Sequence, residues 1–215
     1  MKKNILFILF GLLFFYGSAE AHQPNFINKE KEVLVSNPEI SQAFYGFLDN
    51  EPAVYTINSS SPFKLYVGLL TPDVAHPENS LFATITNEDG EELAKLDGIN
   101  NFEWKHWYEE FAGDWYWQGP EFKKEVPAGK YIITIDNTHS KGEYVAVFGE
   151  LESFPIVKMP GMLVELFNIK TKIFEKPWYS VFQNKIGKYL GIITILIFVL
   201  IIGILFLRKN IKNKK

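Results

Sequence analysis

From Phe102 to Pro120 the chain reads FEWKHWYEEFAGDWYWQGP, and this block holds four of the five tryptophans in 215 residues. Trp104, Trp107, Tyr108, Trp115 and Trp117 bring ring faces that can stack on sugars or hold cations. Glu109, Glu110 and Asp114 beside them can orient hydroxyls or bind Ca²⁺. The competing expectation is that the rings fill a core while the three carboxylates are solvated in a loop. So many large rings around Ala112 and Gly113 are hard to bury together, which makes the block the candidate recognition surface for a glycan or protein ligand. Calcium by itself has less behind it: Asp89, Glu91 and Asp97 add oxygen ligands, but no D-x-D-x-D-G loop occurs.

A second chemistry attaches to His22. Cleavage after Ala21 would give His22 both an amine and an imidazole. One further imidazole from His76, His106 or His139 would then complete a copper chelate of the histidine-brace type. The alternative is an ordinary mature terminus, because no spacing selects the second ligand. Hydrolase signatures are missing: there is no G-x-S-x-G, H-E-x-x-H or G-x-x-x-x-G-K-[ST] pattern, and no cysteine.

Four environments must position these groups. Lys2 and Lys3, the apolar run 5–15 and Ala19-Glu20-Ala21 have the three-part order of a secretory signal over 1–21. Residues 189–207 are 19 in number and uncharged; as a helix they would measure about 28 Å, enough to cross a hydrocarbon core of about 30 Å. The basic tail 208–215, opening on Arg208 and Lys209, is expected in the cytoplasm, with Trp178, Tyr179 and Tyr189 in the outer aromatic belt. This is the plan of a type I single-pass membrane protein. The absence of cysteine excludes a lipidated terminus and disulfides.

Charge divides along the same lines. Residues 22–154 carry 22 acidic and 9 basic side chains, a local charge of −13, which would repel a phosphate backbone and excludes nucleic acid as its partner. Residues 155–188 carry +4. The overall −3 is an accident of addition.

Short alternating runs rich in Val, Ile, Thr, Phe and Tyr predict strands over 33–35, 43–48, 53–57, 63–70, 81–86, 92–96, 123–126, 131–136 and 144–149. Asn87-Glu88-Asp89-Gly90 predicts one hairpin turn, and 137–142 a second that folds 144–147 back on 131–135. Asn37-Pro38-Glu39 predicts a capped helical turn. The class expected is mainly β: a jelly-roll-like β-sandwich ectodomain, then an amphipathic juxtamembrane helix and one transmembrane helix.

The pattern Val126-Pro127-Ala128-Gly129-Lys130-Tyr131-Ile132-Ile133-Thr134-Ile135, followed by Gly142-Glu143-Tyr144-Val145-Ala146-Val147, resembles the final hairpin of secreted jelly-roll modules such as the bacterial pre-peptidase C-terminal domain. That resemblance implies an accessory or binding part and no catalyst. The chain also resembles membrane-anchored β-sandwich proteins of bacteria and archaea that share blocks like 102–121, which implies no particular activity.

In the arm 155–188, Met162, Leu163, Leu166, Phe167, Ile173 and Phe174 fall on one face after Pro160, with Lys170, Lys172 and Lys176 nearby. This stripe is expected either in the headgroup layer of a bilayer or against the sandwich. The expected function is an extracytoplasmic, membrane-tethered binding module. The alternatives are a copper carrier or oxidative enzyme using His22, and a structural subunit of an envelope complex.

Overall fold

The computed structural model describes residues 22–184 apart from 29, 31, 78 and 111, together with 196 and 199–203. The strands are β1 (Gln23–Phe26), β2 (Glu32–Leu34), β3 (Gln42–Asp49), β4 (Ala53–Ser59), β5 (Phe63–Pro72), β6 (Phe82–Asn87), β7 (Glu92–Asp97), β8 (Lys105–Glu109), β9 (Asp114–Val126), β10 (Gly129–Asp136) and β11 (Lys141–Phe148). They form a two-sheet sandwich. One sheet has the order β1-β3-β11-β5-β9-β8 and the other β2-β4-β10-β6-β7. The pairs β1/β3 and β2/β4 are parallel, and the other neighbours run antiparallel.

Alternation along the strands supplies the core. In the five-stranded sheet Tyr55 and Ile57, Ala83 and Ile85, and Ile133 and Ile135 point inward to meet Phe44, Leu65, Val67, Tyr144 and Phe148 of the six-stranded sheet. The two buried phenols at this interface satisfy each other, Tyr55 Oη to Tyr144 Oη at 2.9 Å. Strand β11 does not alternate: Tyr144 through Phe148 are all buried, because the six-stranded sheet is covered on both faces.

The cover on the outer face is the arm. Helix α1 (Met159–Asn168), with Pro160 in its first turn, runs into a π-helical turn Ile169–Ile173, and a 3₁₀ turn Trp178–Phe182 follows. Ile169, Ile173 and Phe174 pack on Ala43, Tyr45, Leu70, Tyr116, Val145 and Val147. Leu166 packs with Ala112 and Val181. Each such side chain contributes about 2 kcal/mol by leaving water. Glu165 on α1 accepts the Phe26 N–H at 2.9 Å, capping the edge strand β1. These buried residues of the stripe therefore lie against protein, not in a headgroup layer, while Phe167 is exposed.

Two local expectations change. Strands 131–135 and 144–147 exist but do not form a hairpin: β10 pairs with β4 and β6, β11 with β3 and β5, and the connection crosses between sheets. Asn37 is not a helix cap; it takes φ +54° in a turn closed by Ile40 N–H to Asn37 O at 2.9 Å. The turn through Gly90 (φ +79°) does join β6 to β7 as a hairpin.

The expected signal, Tyr189 and the tail with Arg208 and Lys209 lie outside the described residues. Residues 196 and 199–203 are helical and exposed. Among the described residues no helix is long and apolar enough to cross a membrane.

Candidate functional site

The aromatic block is a hairpin, not a loop. Strands β8 and β9 pair with His106 opposite Trp117, Trp107 opposite Tyr116, Tyr108 opposite Trp115 and Glu109 opposite Asp114. A period of two therefore sorts the block onto opposite faces. His106, Tyr108, Trp115 and Trp117 share one face; Trp107, Glu109, Asp114 and Tyr116 share the other, which meets the arm.

On the first face the rings form a column. Tyr108 lies 5.0 Å from Trp115, Trp115 stacks on His106 at 4.5 Å with the planes 11° apart, and His106 lies 4.8 Å from Trp117. Asp73 braces it, with His106 Nε2 at 2.8 Å from Oδ2 and Trp117 Nε1 donating to Oδ1 at 3.1 Å. Trp115 is 46% exposed and Tyr108 42%. Trp115 thus contacts two neighbouring rings, His106 stacked and Tyr108 tilted by 48°.

On the second face the carboxylates are buried. Asp114 has no exposed surface and receives two ammonium groups: Lys170 Nζ at 2.5 Å from Oδ2 and Lys176 Nζ at 2.7 Å from Oδ1. Lys170 is itself buried and also donates to Ala112 O. Its pKa is lowered by burial, against the opposing pull of Asp114. Glu109 Oε2 accepts the Ala112 N–H, and Asn184 Nδ2 donates to Ala112 O at 3.1 Å. Beneath them Tyr45 Oη meets Tyr116 Oη at 3.0 Å, and burial drives both phenol pKa values far up. Gly113 turns the chain at φ +74°; a Cβ there would sit 3.0 Å from Asn184 Cβ and 3.3 Å from Tyr108 Oη. This is a clamp. It fixes the hairpin tip to the arm and leaves Asp114 and Glu109 no access to a ligand, which corrects their place among the binding candidates. Glu110 alone of the three carboxylates is exposed.

The remaining candidates scatter. Trp104 is half-buried in the seam between the sheets, with Nε1 donating to Gly98 O at 2.9 Å. Gly119 is required beside it, since a Cβ there would lie 2.5 Å from Trp104 Cη2. Trp107 lines a cleft of about 690 Å³ with Tyr66, Phe102, Glu103, Glu121 and His22. His22 Nδ1 meets Ser41 Oγ at 2.5 Å, and desolvation lowers its pKa to about 4. No other histidine lines that cleft. Among the described residues no group of three or more His, Asp or Glu is placed to hold a metal.

No family model matches the chain. No curated protein matches it either. Some solved structures are similar to part of the chain. The pre-peptidase C-terminal domain of a collagenase from Bacillus anthracis is 14% identical, with 60% of this chain and 95% of that one covered, at a TM-score of 0.33. The catalytic domain of a GH87 alpha-1,3-glucanase is 15% identical over 51% of this chain and 22% of its own, at 0.28. CBM35 of Abf62 from Cellvibrio japonicus is 11% identical over 46% of this chain and 65% of its own, at 0.25. Similarity this distant brings no residue roles.

Three positions of the site were not among the sequence's binding candidates: Asp73, Lys170 and Lys176; His106 was named only as a copper ligand. Lys170 had a signal, a cation inside the buried stripe Ile169 to Ile173. Asp73 had none, being 33 residues from the histidine it braces.

Proposed function

We propose that the chain is an extracytoplasmic interaction module tethered to a membrane by residues 189–207, with the signal 1–21 removed on export and the tail 208–215 in the cytoplasm. The fold is read as a jelly roll, supported by the order β3-β11-β5-β9 facing β4-β10-β6-β7. The interaction surface is the ring column Tyr108, Trp115, His106 and Trp117. One observation carries this reading: a braced column on an edge hairpin holds Trp115 and Tyr108 side by side and nearly half exposed, the two most exposed large apolar rings of the described strands. The reading is non-catalytic, because Asp73, Glu109 and Asp114 are engaged in bonds that hold the hairpin.

The test has two arms. Protease added outside sealed cells should degrade the ectodomain and spare the tail. Surface binding of the folded chain, read on glycan, protein and lipid panels, should be lost with the double variant Tyr108→Ala and Trp115→Ala and kept with Glu88→Ala. Binding that survives the double variant removes the column from the interaction surface.

A further inference from the structure

We infer that the hairpin tip and the 3₁₀ turn Trp178–Phe182 form one continuous face that docks the sandwich onto the outer leaflet of the bilayer. This rests on the proposed span over 189–207. Trp178, Tyr179 and Phe182 are 61, 49 and 52% exposed. They make a cluster in which Trp178 meets Tyr179 at 6.0 Å and Phe182 at 6.5 Å, each edge-on. The cluster is held rigidly: Ser180 and Val181 of the same turn are buried, and Val181 packs on Ala112 of the hairpin tip. Continuity with the ring column comes through Gly113, beside which Asn184 Cβ and Tyr108 Oη approach one point, with Trp115 one ring further on.

Chain length selects the occupant. From Asn184 to Tyr189 is five residue steps, a reach of at most about 18 Å even when fully extended. The sandwich is far longer than that gap: the 13 residues of β9 measure about 40 Å at 3.3 Å each. An ectodomain leashed this closely keeps its tip at the headgroup layer. Ring chemistry agrees. The column pairs apolar ring area with the phenol of Tyr108 and the imidazole of His106, and amphipathic rings at a membrane interface work by lying at headgroup level. The β6–β7 turn at Glu88 stands at the opposite end, since Asn87 pairs with Tyr131 just after β9 has ended at Val126.

The chain contains no cysteine, so single spin labels report depth without background. Full-length chain in vesicles of phosphatidylcholine with phosphatidylglycerol would carry labels at Glu110→Cys (tip), Glu88→Cys (far end) or Leu196→Cys (span). The Glu110 label should be about tenfold less accessible to a water-soluble paramagnetic quencher than the Glu88 label. Adding Trp178→Asp with Tyr179→Asp should restore its accessibility while the Glu88 label is unchanged. A Glu110 label as accessible as Glu88, with Leu196 protected by lipid, overturns the docking and leaves the tether standing. A water-accessible Leu196 label overturns both. Protection of Glu110 that grows with the protein-to-lipid ratio assigns the face to a second copy and also overturns the docking.

Discussion

Asp114→Ala tests the clamp most directly. The substitution removes the carboxylate shared by Lys170 and Lys176 and leaves Lys170, fully enclosed, with the Ala112 carbonyl and the more distant charge of Glu109. Stranding one member of a buried pair costs about 3–5 kcal/mol, a large part of the 5–15 kcal/mol that holds an ordinary domain together. Lys170→Met is milder, because Asp114 keeps Lys176 at 2.7 Å; the loss is that of a charged hydrogen bond, about 1.5–3 kcal/mol. The double variant Asp114→Leu with Lys170→Met replaces the pair by apolar groups and should recover most of the first loss, since well-packed apolar replacement of a buried pair is often neutral. Urea unfolding of the full chain in micelles, followed by tryptophan fluorescence, reads all three. If Asp114→Ala costs under about 1 kcal/mol, or if the double variant is no more stable than Asp114→Ala, the clamp does not hold the arm to the hairpin.

Two further outcomes follow from buried groups. Burial raises the pKa of Tyr45, Tyr55 and Tyr116 far above the usual phenol range, and that of Tyr144 to about 12. Unfolded tyrosine ionises near pH 10, so stability present below that pH should be lost above it, by about 1.4 kcal/mol per pH unit for each such group; circular dichroism melts from pH 9 to 11.5 that stay flat would contradict this. Trp104→Ala should destabilise by about 3 kcal/mol in the same urea assay, as expected for emptying a packed tryptophan site, and should impair binding only through folding, so that a fully stable Trp104→Ala variant with lost binding would return Trp104 to the interaction surface.

Much of the sandwich was legible because nine of its runs alternate or are capped by turn residues. Strand β1 was not: Gln23-Pro24-Asn25-Phe26 has no β signature, and its edge is completed by Glu165 from 139 residues away. The β8–β9 hairpin hid for a different reason. Both of its faces are aromatic, one covered by the arm and one stacked on itself, so no polar alternation marks the period. The crossing from β10 to β11 has the same local sequence as a hairpin, and only the sheet partners of each strand distinguish the two. Within the site, residue types were readable and exposure was not, because the partners that bury Asp114 lie 56 and 62 residues downstream.

The clamp also changes how the arm meets lipid. Its sequence charge of +4 suggests electrostatic attachment, at about 1 kcal/mol per lysine near an anionic surface. Yet Lys170 and Lys176 are spent on Asp114, and Glu165 and Glu175 offset two of the remaining four cations. Little net charge is left to be attracted, so the exposed rings of Trp178, Tyr179 and Phe182 must supply most of the docking. Raising salt from about 0.1 M to 1 M shortens the screening length from about 10 Å to about 3 Å. Protection of the Glu110 label should change little over that range and should fall sharply with Trp178→Ala at either salt. Release of the tip by salt alone, with Trp178→Ala silent, would show that charge and not the aromatic face brings the sandwich to the membrane.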